Sequence, residues 1–171
     1  DGAQTAAMLI VHAGINEGFD ATHIPAYGPE SRGGTSYADV HVADGEVLSP
    51  ASPHPNVLIA FNMPSLVKFG PDVLPGGTII YDSSVIHDYT PVRAGVNVVG
   101  VPMSEIAKDL GKLMVKNIVA LGALQAATGI FPKETFLTAV RRALKDKCAM
   151  IPLNEQAFEW GVKAASEVLV P

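Results

Sequence analysis

The sequence predicts an α/β fold, with an open, largely parallel, Rossmann-like sheet flanked by helices and a helical C-terminal third. Two observations predict it. Continuous apolar runs at 57–61 and 78–81 are bounded by proline or glycine, as in strands that are covered on both faces. From Ser104 onward, apolar residues recur at helical spacing. The 171 residues predict a single domain, 1–171, without an internal repeat.

The amino-acid composition argues against several classes of function. Hydrophobic residues make up 48% of the chain and charged residues 17%, a balance that argues against disorder and indicates that partners cover much of the surface. The net charge of −5 offers no general attraction for nucleic acid or for an anionic membrane. The single cysteine, Cys148, excludes an internal disulfide and a Cys-ligated iron–sulfur cluster held by this chain alone, and it fits a reducing cytoplasm.

The first elements follow from apolar patterning. Helix-forming residues begin almost at once and are expected to stop at Gly14. Because such a helix usually follows a strand and a glycine-rich turn, we expect this first strand and loop to be missing before Asp1. Residues 19–27 and 35–43 are predicted strands, and Asp44-Gly45 is a tight turn that leads into residues 46–48. Three prolines make residues 49–55 a loop.

Three further strands are predicted at 57–61, 78–81 and 96–101, with a short helix after Asn62. Helices are then expected from 104 to 111, 114 to 128, 132 to 144 and 152 to 169. The three strands are followed by Asn62, Asp82 and Pro102. In an open α/β sheet, ligands bind at the carboxyl ends of the strands, so a site is expected at this edge.

Residues 28–34, Gly-Pro-Glu-Ser-Arg-Gly-Gly, connect two predicted strands. Glycines let backbone amides approach a ligand closely, and Arg32, the only cation of this loop, suits a phosphate or a carboxylate. A surface turn with a solvated arginine is the alternative. The five histidines lack metal-ligand spacing, and the sequence contains neither a Gly-x-Ser-x-Gly elbow nor a Walker lysine loop. The sequence therefore predicts no catalytic set.

Several motifs occur in a fixed order. They are Asp-Gly-Ala-Gln-Thr-Ala-Ala at 1–7, Ile-Pro-Ala-Tyr-Gly-Pro-Glu-Ser-Arg-Gly-Gly at 24–34, Asn-Met-Pro-Ser-Leu at 62–66, Pro-Gly-Gly-Thr at 75–78, Tyr-Asp-Ser-Ser at 81–84 and Lys-Asn-Ile-Val-Ala-Leu-Gly-Ala at 116–123. Together they resemble the gamma subunit, or gamma domain, of the 2-oxoacid:ferredoxin oxidoreductases. The Gly-Pro-Glu-x-Arg-Gly-Gly form is most like the 2-oxoglutarate or branched-chain 2-oxoacid type.

The resemblance implies a cytoplasmic, multisubunit enzyme that oxidatively decarboxylates a 2-oxoacid with coenzyme A (CoA). The products are an acyl-CoA, carbon dioxide and reduced ferredoxin. Thiamine diphosphate, Mg²⁺ and [4Fe-4S] clusters are implied on partner subunits, and none of them on this chain alone. The implied partners are alpha and beta subunits, with or without a ferredoxin-like delta subunit, and ferredoxin as the acceptor. The chain alone is expected to have no activity.

The resemblance also implies that this chain helps to bind CoA, with no catalytic residue and no metal ligand of its own. The expected CoA-binding residues are Gly2, Ala3, Gln4, Thr5, Ser31, Arg32, Gly33, Gly34 and Asn62. In the alternative interpretation, the chain is a purely architectural subunit that braces the thiamine diphosphate subunits. The choice of 2-oxoacid is expected to reside mostly on other subunits.

Overall fold

A computed structural model of the protein describes residues 2–27, 36–47, 49, 53–91 and 93–170. The helices in these residues are α1 (Ala3–Asn16), α2 (Met63–Phe69), α3 (Met103–Asp109), α4 (Lys116–Thr128), α5 (Lys133–Ala143) and α6 (Ile151–Leu169). The strands are β1 (Asp20–Tyr27), β2 (Ser36–Ala43), β3 (Val57–Ala60), β4 (Thr78–Asp82) and β5 (Asn97–Val101). Short 3₁₀ turns occupy 70–72, 113–115 and 148–150.

Strands β3, β4 and β5 form a parallel sheet in that order. The register pairs Ile59 with Ile80, and Ile80 with Val99. Apolar residues on both faces are what a parallel sheet requires, because helices or loops cover both of its sides. The predicted α/β class, with its parallel sheet and helical C-terminal part, is confirmed. The carboxyl edge of this sheet, at Ala60, Asp82 and Val101, lies next to the N-termini of α2 and α3.

The other two strands, β1 and β2, form a separate antiparallel sheet, called here the β1–β2 pair. Its register runs from Asp20 opposite Ala43 to Tyr27 opposite Ser36. One face of the pair packs against α1, where a side chain on Gly14 would meet Val42. Tyr27 and Ser36, the two residues that flank segment 28–35, therefore lie opposite each other at the end of the pair.

The two faces of the parallel sheet carry cores of unequal size. The larger core joins Ile80 and Val99 to residues of α1, α4, α5 and α6. Phe136 lies between two other rings, with centroids 5.7 Å from Phe131 and 5.8 Å from Phe158. The smaller core lies on the opposite face, where α2 and the segment after β4 pack. Its buried members are Ala60, Leu66, Val73, Ile79 and Ile86. In the described residues, no helix has both the length and the apolar character needed to cross a membrane.

Helices α4 and α6 cross at two glycines. A side chain on Gly122 would collide with the backbone carbonyl of Phe158, and one on Gly161 would collide with the carbonyl of Val119. Each glycine therefore admits the backbone of the opposite helix. Small residues allow such close approach, and ridge-into-groove packing then fixes the crossing.

One local prediction is wrong. Helix α1 passes through Gly14 and ends at Asn16. Gly14 lies on the buried face, and its missing side chain leaves room for Val42 and Phe131. The turn to an αL conformation comes at Gly18, with φ of 88°. After Asp44-Gly45, the Val47 amide donates to the Asp20 carboxylate at 2.8 Å. Residue 48 lies outside the described residues.

We expect Gly122→Ala to destabilise the protein, although alanine ordinarily favours a helix interior by roughly 0.5–1 kcal/mol. The added methyl group meets the Phe158 carbonyl, which is backbone and cannot rotate away. Overpacking of this kind costs about 1–3 kcal/mol, so the free energy of unfolding in urea should fall. Gly45→Ala is the control, because in the described residues no atom apart from Gly45 and its chain neighbours lies within 4 Å of the position its methyl group would take. An unfolding curve that Gly122→Ala left unchanged would contradict this packing.

Candidate functional site

The N-terminus of α1 begins at Gly2, whose φ of 82° and ψ of 12° place it in the αL region. The first intrahelical hydrogen bond runs from the Ala6 amide to the Gly2 carbonyl at 3.0 Å. The amides of Ala3, Gln4 and Thr5 precede that bond, so they have no acceptor within the helix. Helix N-termini of this kind favour negatively charged groups through their free amides and the helix dipole.

Asn117, in the first turn of α4, packs against Gly2. A side-chain carbon on Gly2 would lie 3.0 Å from Asn117 Cβ and 3.0 Å from its Nδ2. The Asn117 side chain is buried, and its Oδ1 accepts a hydrogen bond from the Ile118 amide at 2.9 Å. Gly2 is therefore required twice, once for its backbone conformation and once for the close approach of α4.

Gln4 connects α1 to both strands of the β1–β2 pair. Its Nε2 donates to the backbone carbonyl of Tyr37 at 2.9 Å. Its Oε1 lies 2.9 Å from His23 Nε2. Tyr37 follows Ser36, which pairs with Tyr27 at the end of the two strands. Gln4 thereby holds the first turn of α1 close to the end of the pair at Tyr27 and Ser36.

Asn62 caps α2 at the carboxyl end of β3. Its Oδ1 accepts a hydrogen bond from the Ser65 amide at 2.9 Å, which is the N-cap arrangement that the sequence predicts. The side chain is exposed beside the sheet edge. Asn62 thus has a structural role that explains its residue type without a ligand.

A buried carboxylate lies at the end of the next strand. Asp82 is completely buried, and its Oδ1 accepts hydrogen bonds from the amides of Ser84 at 3.1 Å and Ser104 at 3.2 Å. Its Oδ2 accepts a short hydrogen bond from the Ser104 hydroxyl. This carboxylate joins the end of β4 to the first turn of α3.

Lys116 supplies the matching positive charge. Its Nζ lies 3.9 Å from Asp82 Oδ2, and its side chain is only 14% exposed. The same ammonium group sits 5.2 Å from the centroid of the Phe61 ring, a cation–π contact at the end of β3. Lys116 and Asn117 are consecutive, so the first turn of α4 contacts both the sheet edge and Gly2. The pairing of Asp82 with Lys116 is not anticipated by the sequence analysis, because 34 residues separate them.

A shallow cleft of about 370 Å³ opens beside this cluster. It is lined by Ser84, Val85, Ser104, Glu105, Lys108, Gly111 and Leu113. These residues follow β4 or belong to α3 and the turn after it, and none of them is among the predicted CoA-binding residues. Of the predicted residues, the structure places Gly2, Ala3, Gln4 and Thr5 together in the first turn of α1. Asn62 lies at the end of β3, and Ser31, Arg32, Gly33 and Gly34 lie outside the described residues.

The family model for pyruvate ferredoxin/flavodoxin oxidoreductase matches residues 1–164. The chain belongs to this family. It is 37% identical over 168 residues to ketoisovalerate oxidoreductase subunit VorA of Methanothermobacter thermautotrophicus, covering 97% of this chain and 34% of the relative. It is 29% identical over 161 residues to 2-oxoglutarate synthase subunit KorC of Methanocaldococcus jannaschii, covering 91% and 83%. The chain thus spans about a third of the length of VorA and most of the length of KorC.

Solved structures agree with this oxidoreductase family. The gamma subunit of a keto/oxoacid ferredoxin oxidoreductase from Geobacter sulfurreducens superposes with a TM-score of 0.79 at 29% identity, covering 96% of this chain and 91% of that one. The 2-oxoglutarate:ferredoxin oxidoreductase of Magnetococcus marinus, solved with 2-oxoglutarate, coenzyme A and succinyl-CoA bound, gives 0.85 at 24% identity, covering 99% and 29%. The latter likeness establishes the fold alone. The predicted resemblance to gamma subunits is confirmed.

We expect Asp82→Ala to lower the free energy of unfolding by about 3–5 kcal/mol, because it leaves a mostly buried lysine and several donors without their acceptor. Asp82→Asn keeps an acceptor for the two amides and should cost less. Urea denaturation monitored by circular dichroism measures both. The matched control is Asp109→Ala at an exposed position of α3, expected within about 0.5 kcal/mol of the parent. Equal losses for Asp82→Ala and Asp109→Ala would show that the buried carboxylate contributes nothing.

Proposed function

We propose that this chain is the gamma subunit, or gamma domain, of a 2-oxoacid:ferredoxin oxidoreductase, and that it helps to bind CoA while bracing the thiamine diphosphate subunits. Membership of the oxidoreductase family and the similarity to VorA, KorC and a solved gamma subunit support the assignment. The enzyme would oxidise a branched-chain 2-oxoacid or 2-oxoglutarate in the cytoplasm. It would release carbon dioxide, pass two electrons one at a time to ferredoxin and transfer the acyl group to the thiol of CoA.

One observation supports CoA as the ligand of this chain. The free amides at the start of α1 and the ends of the β1–β2 pair lie side by side, joined by Gln4. The segment that leaves those strand ends carries the Gly-rich sequence with Arg32. CoA contains a diphosphate and a further phosphate. Backbone amides at a helix N-terminus and the planar fork of an arginine both suit phosphate oxygens.

In this proposal the chain's own residues bind and orient CoA, and they carry out no chemical step. The amides of Ala3, Gln4 and Thr5 would donate to phosphate oxygens of CoA. The loop residues Ser31, Arg32, Gly33 and Gly34 would approach CoA from the other side. Asn62 would line the same CoA site. Thiamine diphosphate, when bound on the partner subunits, supplies the electron sink for decarboxylation. The alpha and beta subunits, a delta subunit where present, and external ferredoxin are the partners proposed for the complex.

We expect Arg32→Ala to raise the apparent KM for CoA about ten- to a hundred-fold, because losing a charge-assisted hydrogen bond costs roughly 1.5–3 kcal/mol. The phosphates lie far from the reacting thiol of CoA. The lost binding is therefore uniform between the ground and transition states, and kcat should stay nearly constant. Steady-state kinetics of the assembled complex with CoA varied measures both quantities. Decarboxylation in the absence of CoA should be unaffected.

The matched control is Arg142→Ala. Arg142 is exposed, and its Nη1 donates to Asn16 Oδ1 at 2.8 Å, at the opposite end of α1 from Gly2. It should leave CoA saturation unchanged. If Arg32→Ala dissociated the complex and the remaining intact enzyme kept its normal KM, the loop would be an assembly element. The architectural interpretation would then replace CoA binding.

We also expect the purified chain to be inactive without its partner subunits, because the described residues of its candidate site offer backbone amides that suit anions and no set that could decarboxylate a 2-oxoacid. The test mixes the chain with thiamine diphosphate, Mg²⁺, CoA, a 2-oxoacid and oxidised ferredoxin, and follows ferredoxin reduction. Turnover should appear only when the partner subunits are added. Ferredoxin reduction by the chain alone would contradict the proposal.

A further inference from the structure

Three exposed apolar side chains lie at or next to the shallow cleft beside α3, called here the α3 cleft. Val85 is 51% exposed and Leu113 is 62% exposed, and both line the cleft. Met114 follows Leu113 in the 3₁₀ turn between α3 and α4 and is 85% exposed. Apolar side chains that are scattered singly over a surface are ordinary, whereas a group of them around a recess is typical of an interaction site.

The shape of the α3 cleft favours a protein over a small molecule. Its volume of about 370 Å³ is enough for an apolar side chain such as leucine or methionine. Pockets for small molecules bury most of the surface of their ligand, and a shallow cleft does not. The α3 cleft therefore suits a side chain that projects from another protein chain.

Two opposite charges lie beside these apolar groups. Glu105 and Lys108 are exposed, and both line the α3 cleft. They are three residues apart on α3, so they are neighbours on the helix surface, separated by about 4.5 Å along its axis. Among the described residues, neither side chain takes part in an ion pair. Both charges are therefore available to a partner.

This surface is complementary to itself. If a second copy of α3 ran antiparallel to the first, Glu105 of each copy would lie opposite Lys108 of the other. The α3 cleft provides a recess, and Leu113 and Met114 provide apolar groups that could enter the recess of another copy. A two-fold interface requires one patch that matches itself in this way, in both charge and shape.

We propose that the α3 cleft is a two-fold contact between two copies of this chain. The α3 helices run antiparallel in this contact, with Glu105 of each copy against Lys108 of the other. Leu113 and Met114 of each copy cover the apolar wall of the opposite cleft. Three exposed apolar side chains per copy make a small contact, so we expect a weak dimer. None of the predicted CoA-binding residues takes part, so the inference is independent of the proposed function.

Sedimentation equilibrium of the purified chain over a series of concentrations tests this contact. The parent chain should dimerise as its concentration rises. Leu113→Asp should raise the Kd of the dimer more than about tenfold, because it places a charge within the apolar contact. Val67→Asp is the matched control, since Val67 is 64% exposed on α2, outside the cleft, and it should leave the Kd unchanged. A parent chain that remains monomeric up to about 1 mM would overturn the inference.

Charge reversal tests whether a second copy is the occupant. Glu105→Lys alone and Lys108→Glu alone set like charges against each other in both halves of the contact, so each should raise the Kd about tenfold or more. An equimolar mixture of the two variants restores opposite charges at both places and should dimerise with nearly the parent Kd. Asp109→Lys is exposed on the same helix outside the cleft and changes the net charge as much as Glu105→Lys. It should change the Kd by less than about twofold.

Two further outcomes would overturn the inference. A mixture of Glu105→Lys and Lys108→Glu that dimerised no better than either variant alone would exclude the antiparallel pairing. If the parent chain stayed monomeric and Leu113→Asp blocked its assembly with the partner subunits, another subunit would occupy the α3 cleft. Because every exchanged residue is exposed, each variant should keep the urea unfolding midpoint of the parent, which circular dichroism measures.

Discussion

Backbone contact between α4 and α6 determines where the first turn of α4 meets the parallel sheet. Gly122 admits the carbonyl of Phe158, and Gly161 admits that of Val119, so neither helix can slide or rotate without a collision. Helix α4 covers one face of the parallel sheet, and its first turn reaches the carboxyl edge. There Lys116 meets the ends of β3 and β4. The position of the Lys116 side chain at the sheet edge thus depends on Gly122 and Gly161.

The buried carboxylate of Asp82 connects the elements at that edge. It connects β4 to α3 through Ser104 and faces the α4 ammonium of Lys116, so three elements share one charge pair. A buried pair of this kind adds little net stability compared with apolar residues, whereas loss of one partner is costly. The packing of β4, α3 and α4 brings all of these donors to one carboxylate, so a shift of any of these elements would leave buried polar groups without partners. Lys116 of this pair contacts Phe61, which directly precedes Asn62, a residue assigned to CoA in the proposed function.

Much of the architecture follows from local patterns, and the contacts at the site do not. The apolar runs of β3 and β4 and the Asn62 cap of α2 were predictable, because burial on both faces and capping act within a few residues. Gln4 could be singled out only by resemblance, and its partners Tyr37 and His23 lie on other elements. Likewise, Gly14 could be taken for the end of a helix, because glycine often follows the last helical residue. Only the approach of β2 shows that it is a packing position.

Under the proposed function, a chain with a net charge of −5 would bind a phosphate-rich ligand through local donors rather than through its overall field. Amides at the start of α1 supply partial positive charge over one turn, and they need neither a long side chain nor its conformational entropy. Their effect falls off steeply with distance, so the position of the helix relative to the other ligand groups decides the affinity. The first turn of α1 is fixed by protein contacts, because the Gln4 side chain bonds to Tyr37 and His23 at 2.9 Å each.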